Sequence, residues 1–272
     1  MSANHLSLVA DIKNKNLNLN VIKQLLVFIN AHLSNSDLNS ASIHINTSIL
    51  LDTQEDDIGF GDISERFIRY VNNYYIGCRN DVSTASSTLA STLAQSLCHV
   101  NRKIVQESKS TFRILVVAAS DDVPSEYVSL MNSIFAAQKS KIVIDVVQIY
   151  NCNTIFLQQA AHLTGGNFIQ ATDPESLVQY LIMAFLPSQP LRARLVQPRS
   201  DKVDFRAACF CHKRIVDIAY ICSVCLSIFC QPPQRCSTCN SVFPAKTLQK
   251  FTGSSQTHSH APFQPSSLRE SL

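Results

Sequence analysis

Two hydrophobic rhythms alternate along the chain from Leu6 to Phe185: short apolar or period-two runs, and apolar faces at helical spacing. That alternation predicts an α/β sheet with helices on its faces. "LSLVAD" at 6–11 predicts a buried first strand, and Leu25, Leu26, Ile29 and Leu33 share one face of a helix over 21–33. "ASIHIN" at 41–46 alternates with period two, as a half-exposed strand would. "DTQEDDIGFGD" then predicts a polar loop, and "ISERFIRYVNNYY" a short helix. Over 83–100, Leu89, Leu93 and Leu97 line one helical face. "RILVVAA" at 113–119 and "IVIDVVQI" at 142–149 are continuous apolar runs of the kind a parallel sheet buries on both sides. Between them Tyr127, Leu130, Met131, Ile134 and Phe135 recur at helical spacing, with Ser125 at the N-cap position. A helix through "FLQQAAHLT" meets Gly165-Gly166, the expected left-handed stop, before a last short strand at "NFIQ". "SLVQYLIMAF" is a closing helix that Pro187 ends.

Pro187, Pro190 and Pro198 mark a linker over 188–205, which separates an α/β domain at 1–187 from a cysteine-rich segment at 206–246. Residues 247–272 are rich in Ser, His, Gln and Pro and predict a disordered tail, in which His258 and His260 are solvated. No internal repeat is apparent. With 272 residues, 46% of them hydrophobic, the chain can bury one sizeable core and a small second one. Residues 201–250 carry seven Lys/Arg against three Asp/Glu, which is mildly basic and too little to predict strong nucleic-acid binding. The start "MSANHLSLVADIKN" lacks the pattern of a signal peptide, and no apolar run reaches membrane-spanning length. The expectation is a soluble, intracellular protein, in whose reducing surroundings clustered cysteines serve metal rather than disulfides. Seven of the ten cysteines fall between 209 and 239, while Cys78, Cys98 and Cys152 stand singly and are expected as small buried hydrophobes.

Cys222-Ser-Val-Cys225 and Cys236-Ser-Thr-Cys239 form two CxxC pairs ten residues apart, with Pro232 and Pro233 stiffening the connection. Four thiolates close the tetrahedral shell of one zinc, so such a site is structural rather than catalytic. Cys209, Cys211, His212 and Cys230 are four more potential ligands, and all eight could hold two zincs in the cross-braced manner of a RING finger. "CFCH" is not a CxxC pair, however, and neighbours Cys211 and His212 would have to turn to one ion. Spacing therefore favours one zinc at Cys222, Cys225, Cys236 and Cys239, with Cys209, Cys211 and Cys230 packed among Ile215, Ile218, Ile221 and Ile228. Tyr220, Ile228 and Phe229 are then either partner-facing surface or the cover of the small core.

Ligands of open α/β sheets sit beyond the carboxyl ends of the strands, where this chain places Asp11 and then Asp121 with Asp122. A von Willebrand factor A domain holds a divalent cation there through aspartates and hydroxyls. Here Lys13 and Lys15 stand where hydroxyl ligands belong, and an ammonium repels a hard cation. A scaffold with a degenerate site is expected. The chain has no GxGxxG, GxxxxGK[ST] or GxSxG motif, and His44, His99 and His162 lie inside periodic segments as structural histidines.

The phrases "DFRAACFCHKR" and "CSVCLSIFC" with the following CxxC, and upstream "RILVV", "MNSIFAAQK", "LQQAAHLTGG" and "LVQYLIMAFLP", cover about 110–245. In this order they resemble the family of the smaller von Willebrand A-domain, zinc-finger subunit of the general transcription and DNA-repair factor TFIIH. The resemblance implies a von Willebrand A-like, Rossmann-like sheet followed by a C4 zinc finger. It also implies a nuclear, non-enzymatic core subunit in RNA polymerase II initiation and nucleotide excision repair, docked on a second A-domain subunit with its own RING-like finger. The zinc ligands it carries over are Cys222, Cys225, Cys236 and Cys239. The competing readings are a RING-type ubiquitin ligase with two zincs and a DNA-binding finger resting on Lys213, Arg214 and Arg235.

Overall fold

The computed structural model describes residues 3–11, 19–45, 48–54, 60–78, 89–107, 110–123, 126–150, 152, 154–171, 173–196, 203–212 and 214–243. The chain divides into two compact units, Met1–Phe205 and Arg206–Leu272.

The first unit is a six-stranded sheet of β1 (Asn4–Ala10), β2 (Ser40–Ile45), β3 (Ser48–Asp52), β4 (Thr111–Ala118), β5 (Val143–Ile149) and β6 (Phe168–Ala171), in the spatial order β3-β2-β1-β4-β5-β6. Every neighbouring pair is parallel except β2 and β3, which form an antiparallel edge. Sequence order reverses at β1, the switch point of a doubly wound fold, which puts the ends of β1 and β4 side by side. α1 (Leu19–Ser34), α2 (Phe60–Cys78) and α6 (Leu177–Tyr180) pack as one group, and α3 (Leu89–Gln106), α4 (Tyr127–Lys139) and α5 (Ile155–Thr164) as another. The apolar runs explain the core: Leu115, Val117, Val147 and Ile149 join Leu25, Phe28 and Ile29 of α1 and Phe67 of α2 in one buried cluster.

Some elements differ from the sequence expectation. β3 occupies a stretch with no predicted strand, and α2 is longer than the short helix expected there. The helix expected from Ser83 is described only from Leu89. β2 is buried throughout rather than half-exposed. Its period-two alternation is real, but the polar positions face α3 instead of water. His5 contacts the hydroxyls of Ser40 at 2.7 Å and Ser42 at 3.1 Å. Ser42 donates to Ser7 at 3.2 Å, and Ser7 meets Ser96 of α3 at 2.8 Å. His44 and His99, expected to be structural, belong to the same polar layer, with ring centroids 5.3 Å apart.

This layer, together with the buried His32 of α1, should make the domain acid-sensitive. Burial, with Lys103 next, holds His5 down at about 3. Burial, with His99 next, holds His44 at about 4, and burial, with Arg113 next, holds His32 at about 4. Each folded value lies below the ordinary histidine value, so the unfolded chain binds protons that the native state refuses. The stability these histidines contribute is whole above pH ~6.5 and is lost as pH falls toward ~4. Thermal melts followed by the far-UV helical signal should therefore show a midpoint that drops progressively between those values. A flat midpoint would contradict the burial of three neutral imidazoles.

The connections hold the sheet edges. Gly165 ends α5 with φ 73°, and Gly166 runs so close to β5 that a Cβ would meet the Ile144 carbonyl oxygen at 2.0 Å. α4 starts after Glu126, which has no side-chain cap bond, and Ser125 lies outside the described residues. The closing helix changes to a π-turn over Leu181–Phe185 before Pro187. The segment expected as a linker contains α7 (Gln189–Arg192), whose Arg192 makes two 2.8 Å bonds to the buried Asp145 carboxylate of β5. Residues 189–192 are thus fastened to the sheet.

Candidate metal centre

The carboxyl ends of β1 and β4 bring Asp11, Ser120, Asp121 and Asp122 to one region, as the strand order requires. The Ser120 hydroxyl donates to Asp11. Asp122 accepts from the Phe156 amide at the start of α5, while burial, the largest influence, raises its carboxyl to about 7. Lys13, Lys15 and residues 83–88 lie outside the described residues. Among the described residues, the groups that bring three or more potential metal ligands together are both in the second unit.

That unit is built from very short pieces. β7 (Ala207–Ala208) pairs antiparallel with β8 (Ile215–Val216), and β9 (Tyr220–Ile221) with β10 (Ile228–Phe229). Cys222 follows β9 and Cys230 follows β10, so the ribbons carry ligands at their ends.

The Cys222, Cys225, Cys236 and Cys239 sulfurs lie within 4.8 Å of one another. The Cys222 and Cys239 sulfurs are 3.7 Å apart, and those of Cys225 and Cys236 3.5 Å. Two copies of one backbone turn present them. The Leu226 amide donates to the Cys222 carbonyl at 2.9 Å, and the Asn240 amide to the Cys236 carbonyl at 3.0 Å. Leu226 and Asn240 both take positive φ, 60° and 59°. The Cys222 amide donates to the Ser227 carbonyl and the Cys236 amide to the Ser241 carbonyl, both at 2.9 Å. Hydroxyls of Ser227 and Ser241 stand 3.1 Å from the Cys225 and Cys239 sulfurs. The Ser227 hydroxyl also donates to Thr238 at 2.8 Å, joining the two turns. Burial would raise the Cys236 thiol, but bonds from the Cys239 and Thr238 amides override it and bring it to about 6. Donors aimed at sulfur favour the thiolate, which is the metal-binding form.

These turns are a repeat that the sequence reading missed: "CSVCLS" at 222–227 recurs as "CSTCNS" at 236–241. The spacing of Cys, Cys and Ser in both copies was the available signal, and it singles out Ser227 and Ser241 as well as the cysteines.

Cys209, Cys211, His212 and Cys230 form the second group, also within 4.8 Å. The Cys209 amide donates to the Arg214 carbonyl at 2.8 Å, and the Phe210 amide to the Ile228 carbonyl at 2.7 Å, which holds the 209–212 turn against β10. The Cys230 sulfur is 3.4 Å from that of Cys211 and 3.1 Å from His212 Nδ1. The neighbours Cys211 and His212 do turn to one centre, contrary to the expectation from their spacing.

The apolar packing differs from expectation. Ile218 and Ile221 are 82% and 62% exposed, so these two do not pack around the cysteines, whereas Ile215 is half-buried. Phe229, 2% exposed, packs with Cys222, Cys236, Phe210 and Phe243, so it covers the core rather than facing a partner. Tyr220 and Ile228 are half-buried. In the first unit, Cys98 is exposed, not buried, and Cys152 is partly buried with its thiol donating to the Ile149 carbonyl. The Cys78 side chain lies outside the described residues.

The reversed strand order with one antiparallel edge, followed by a small unit that gathers eight potential ligands, defines a von Willebrand A-like α/β protein with a C-terminal cysteine-rich module that could hold metal. The family model described as Transcription factor Tfb4 matches residues 59–240, through both units and starting well before the phrases first recognised. The chain belongs to this family. A Schizosaccharomyces pombe relative named general transcription and DNA repair factor IIH subunit tfb4 is 42% identical over 172 residues, covering 62% of this chain and 57% of that protein. Dictyostelium discoideum general transcription factor IIH subunit 3 is 45% identical over 59% of this chain and 43% of its own. The Arabidopsis thaliana TFB4 subunit is 38% identical over 75% of this chain and 69% of its own. The matched part thus spans about half the length of the first two relatives. The crystal structure of the TFIIH p34 N-terminal domain superposes with a TM-score of 0.54 at 23% identity, over 67% of this chain and 97% of that one, which shows the shared fold.

Proposed function

We propose that the chain is a non-catalytic assembly subunit of the TFIIH core, acting in the nucleus in transcription initiation by RNA polymerase II and in nucleotide excision repair. In this reading it docks on a partner A-domain subunit that carries a RING-like finger. The carrying observation is the family match through both the sheet and the cysteine-rich unit, with relatives whose names place them in factor IIH. No described helix is long and apolar enough to cross a membrane.

Zinc is the metal that fits the clusters. A Zn–S bond of about 2.3 Å sets tetrahedral sulfur–sulfur edges near ~3.8 Å, close to the 3.5 and 3.7 Å separations of the first group. Thiolate and imidazole donors suit zinc over the hard cations. Cys222, Cys225, Cys236 and Cys239 would hold one ion, and Cys209, Cys211, His212 and Cys230 a second. Zinc bound so would fix the backbone, since four protein ligands fill each shell.

A cross-brace assigns the first and third ligand pairs to one ion and the second and fourth to the other. Here the first, second, third and sixth ligands in chain order form one cluster and the fourth, fifth, seventh and eighth the other. This order does not support the RING-type ligase reading. The DNA-binding reading is thin as well: of Lys213, Arg214 and Arg235, only the exposed Arg214 and Arg235 lie among the described residues.

The test is affinity purification from nuclear extract of the tagged full chain and of a truncation at Pro198. The full chain should bring down the other TFIIH core subunits, and the truncation fewer of them. Recovery of the full chain alone would overturn the assembly reading, and equal recovery with both would remove the finger from it.

A further inference from the structure

The two clusters differ in exposure in a way that their ligand lists do not show. In the all-cysteine cluster Cys222 is 1% and Cys236 0% exposed. Cys225 and Cys239 are partly exposed, each with a serine hydroxyl 3.1 Å from its sulfur, and neither is as open as Cys211. In the other cluster Cys209 is buried, but Cys211 and His212 are exposed and Cys230 is partly so. An oxidant arriving from water therefore meets Cys211 first. Its sulfur lies 3.4 Å from that of Cys230, and a disulfide of 2.03–2.05 Å needs a closure of about 1.4 Å.

We propose that the Cys209, Cys211, His212 and Cys230 cluster is an oxidisable metal site, at which a peroxide joins Cys211 to Cys230 and releases the metal while the all-cysteine cluster stays closed. Release rests on the two-zinc reading above; the cysteine pairing rests on the geometry alone.

The chemistry balances with hydrogen peroxide as the oxidant. The Cys211 thiolate attacks one peroxide oxygen, the O–O bond breaks, and the departing hydroxide takes a proton to become water. The Cys230 thiolate then attacks the Cys211 sulfenic sulfur, an S–S bond forms, and the second hydroxide leaves as water with another proton. Two electrons pass from the two sulfurs to one peroxide. Cys209 and His212 remain, and two ligands are too few to close a tetrahedral zinc shell. The new bond replaces the metal as the tie between the 209–212 turn and β10, alongside the Phe210 amide bond to the Ile228 carbonyl. The unit therefore survives this oxidation folded.

The experiment uses the purified full-length chain. Zinc is counted by mass spectrometry, hydrogen peroxide is titrated in, released zinc is read with a chromogenic chelator, and disulfides are mapped in non-reduced peptides. The expected result is a fall from two zincs to one per chain, with Cys211–Cys230 as the first bridge formed, reversed by thiol reductant and added zinc. A first bridge among Cys222, Cys225, Cys236 and Cys239, no bridge at all, or simultaneous loss of both metals would overturn the proposal. Fewer than two zincs before oxidant would instead overturn the two-zinc reading. The disulfide map judges the pairing of Cys211 with Cys230 whatever that count is.

Discussion

Complete removal of zinc should unfold residues 206–243 and leave the α/β sheet standing. Among its described residues the second unit has little beyond the proposed zinc sites to hold it. Its four strands are two residues long, its buried apolar cluster consists of Cys222, Phe229 and Cys236, and Ile218, Ile221, Val224, Leu226 and Val242 are exposed. A unit this small does not bury enough surface to offset its chain entropy. Structural zinc contributes roughly 10–16 kcal/mol of binding free energy at neutral pH, available only to the folded state. The first unit has a separate, large core extending from Leu6 to Phe185. All described helices lie before Phe205, so the two outcomes are read independently. After chelation the far-UV helical signal should persist, while amide resonances of 206–243 collapse into the unfolded range. Cys222→Ser should reproduce the collapse in part by opening one cluster. Dispersed resonances for 206–243 after complete metal removal would show that the unit folds on its own contacts.

The parts of the fold legible in sequence were those where one force decides the local pattern. Runs such as "RILVVAA" and "IVIDVVQI" are apolar at every position because both faces are covered, and they became β4 and β5. Gly165-Gly166 marked the end of α5 because the left-handed cap and the approach to Ile144 both exclude a Cβ. β3 was not legible, since "SILLD" at 48–52 is a short edge strand beside charged residues, and its pairing with β2 is set in space. β2 misled for another reason. Period-two alternation separates two faces without saying what covers the polar one, and here it is α3, which brings Ser96, His99 and Lys103 to that face. In the second unit the CxxC spacing was legible because a turn of fixed length presents both sulfurs. The second cluster was not favoured, because Cys230 reaches it through β9–β10 pairing and the Phe210 bond rather than through local spacing.

Asp52→Ala should destabilise the first unit by about 3–5 kcal/mol, the cost of leaving one partner of a buried ion pair alone. Asp52 ends β3 inside the polar layer, where Lys103 Nζ lies 2.7 Å and His99 Nε2 2.8 Å from its Oδ2. The Gln54 amide donates to Oδ1 at 3.0 Å, and Lys103 also donates to the Gln54 side chain at 2.6 Å. Burial opposes ionisation of Asp52, but the bonds from His99 and Lys103 outweigh it and hold the carboxyl well below its ordinary range. That stabilisation is present above the unfolded carboxylate value near ~3.9 and disappears only as pH falls below it, so it is intact at neutral pH. Removing the carboxylate strands the Lys103 ammonium, itself buried, under the sheet edge. Asp52→Ala combined with Lys103→Met removes both charges and should recover much of the loss, because an apolar replacement of a buried pair is often close to neutral. Denaturant midpoints followed by the helical signal measure Asp52→Ala, Lys103→Met and the double variant, and their non-additivity gives the coupling directly. A single-variant loss below about 1 kcal/mol, in the range of exposed ion pairs, would mean that water reaches Lys103. β3 would then be held by its ladder to β2 alone, without the electrostatic tie to α3.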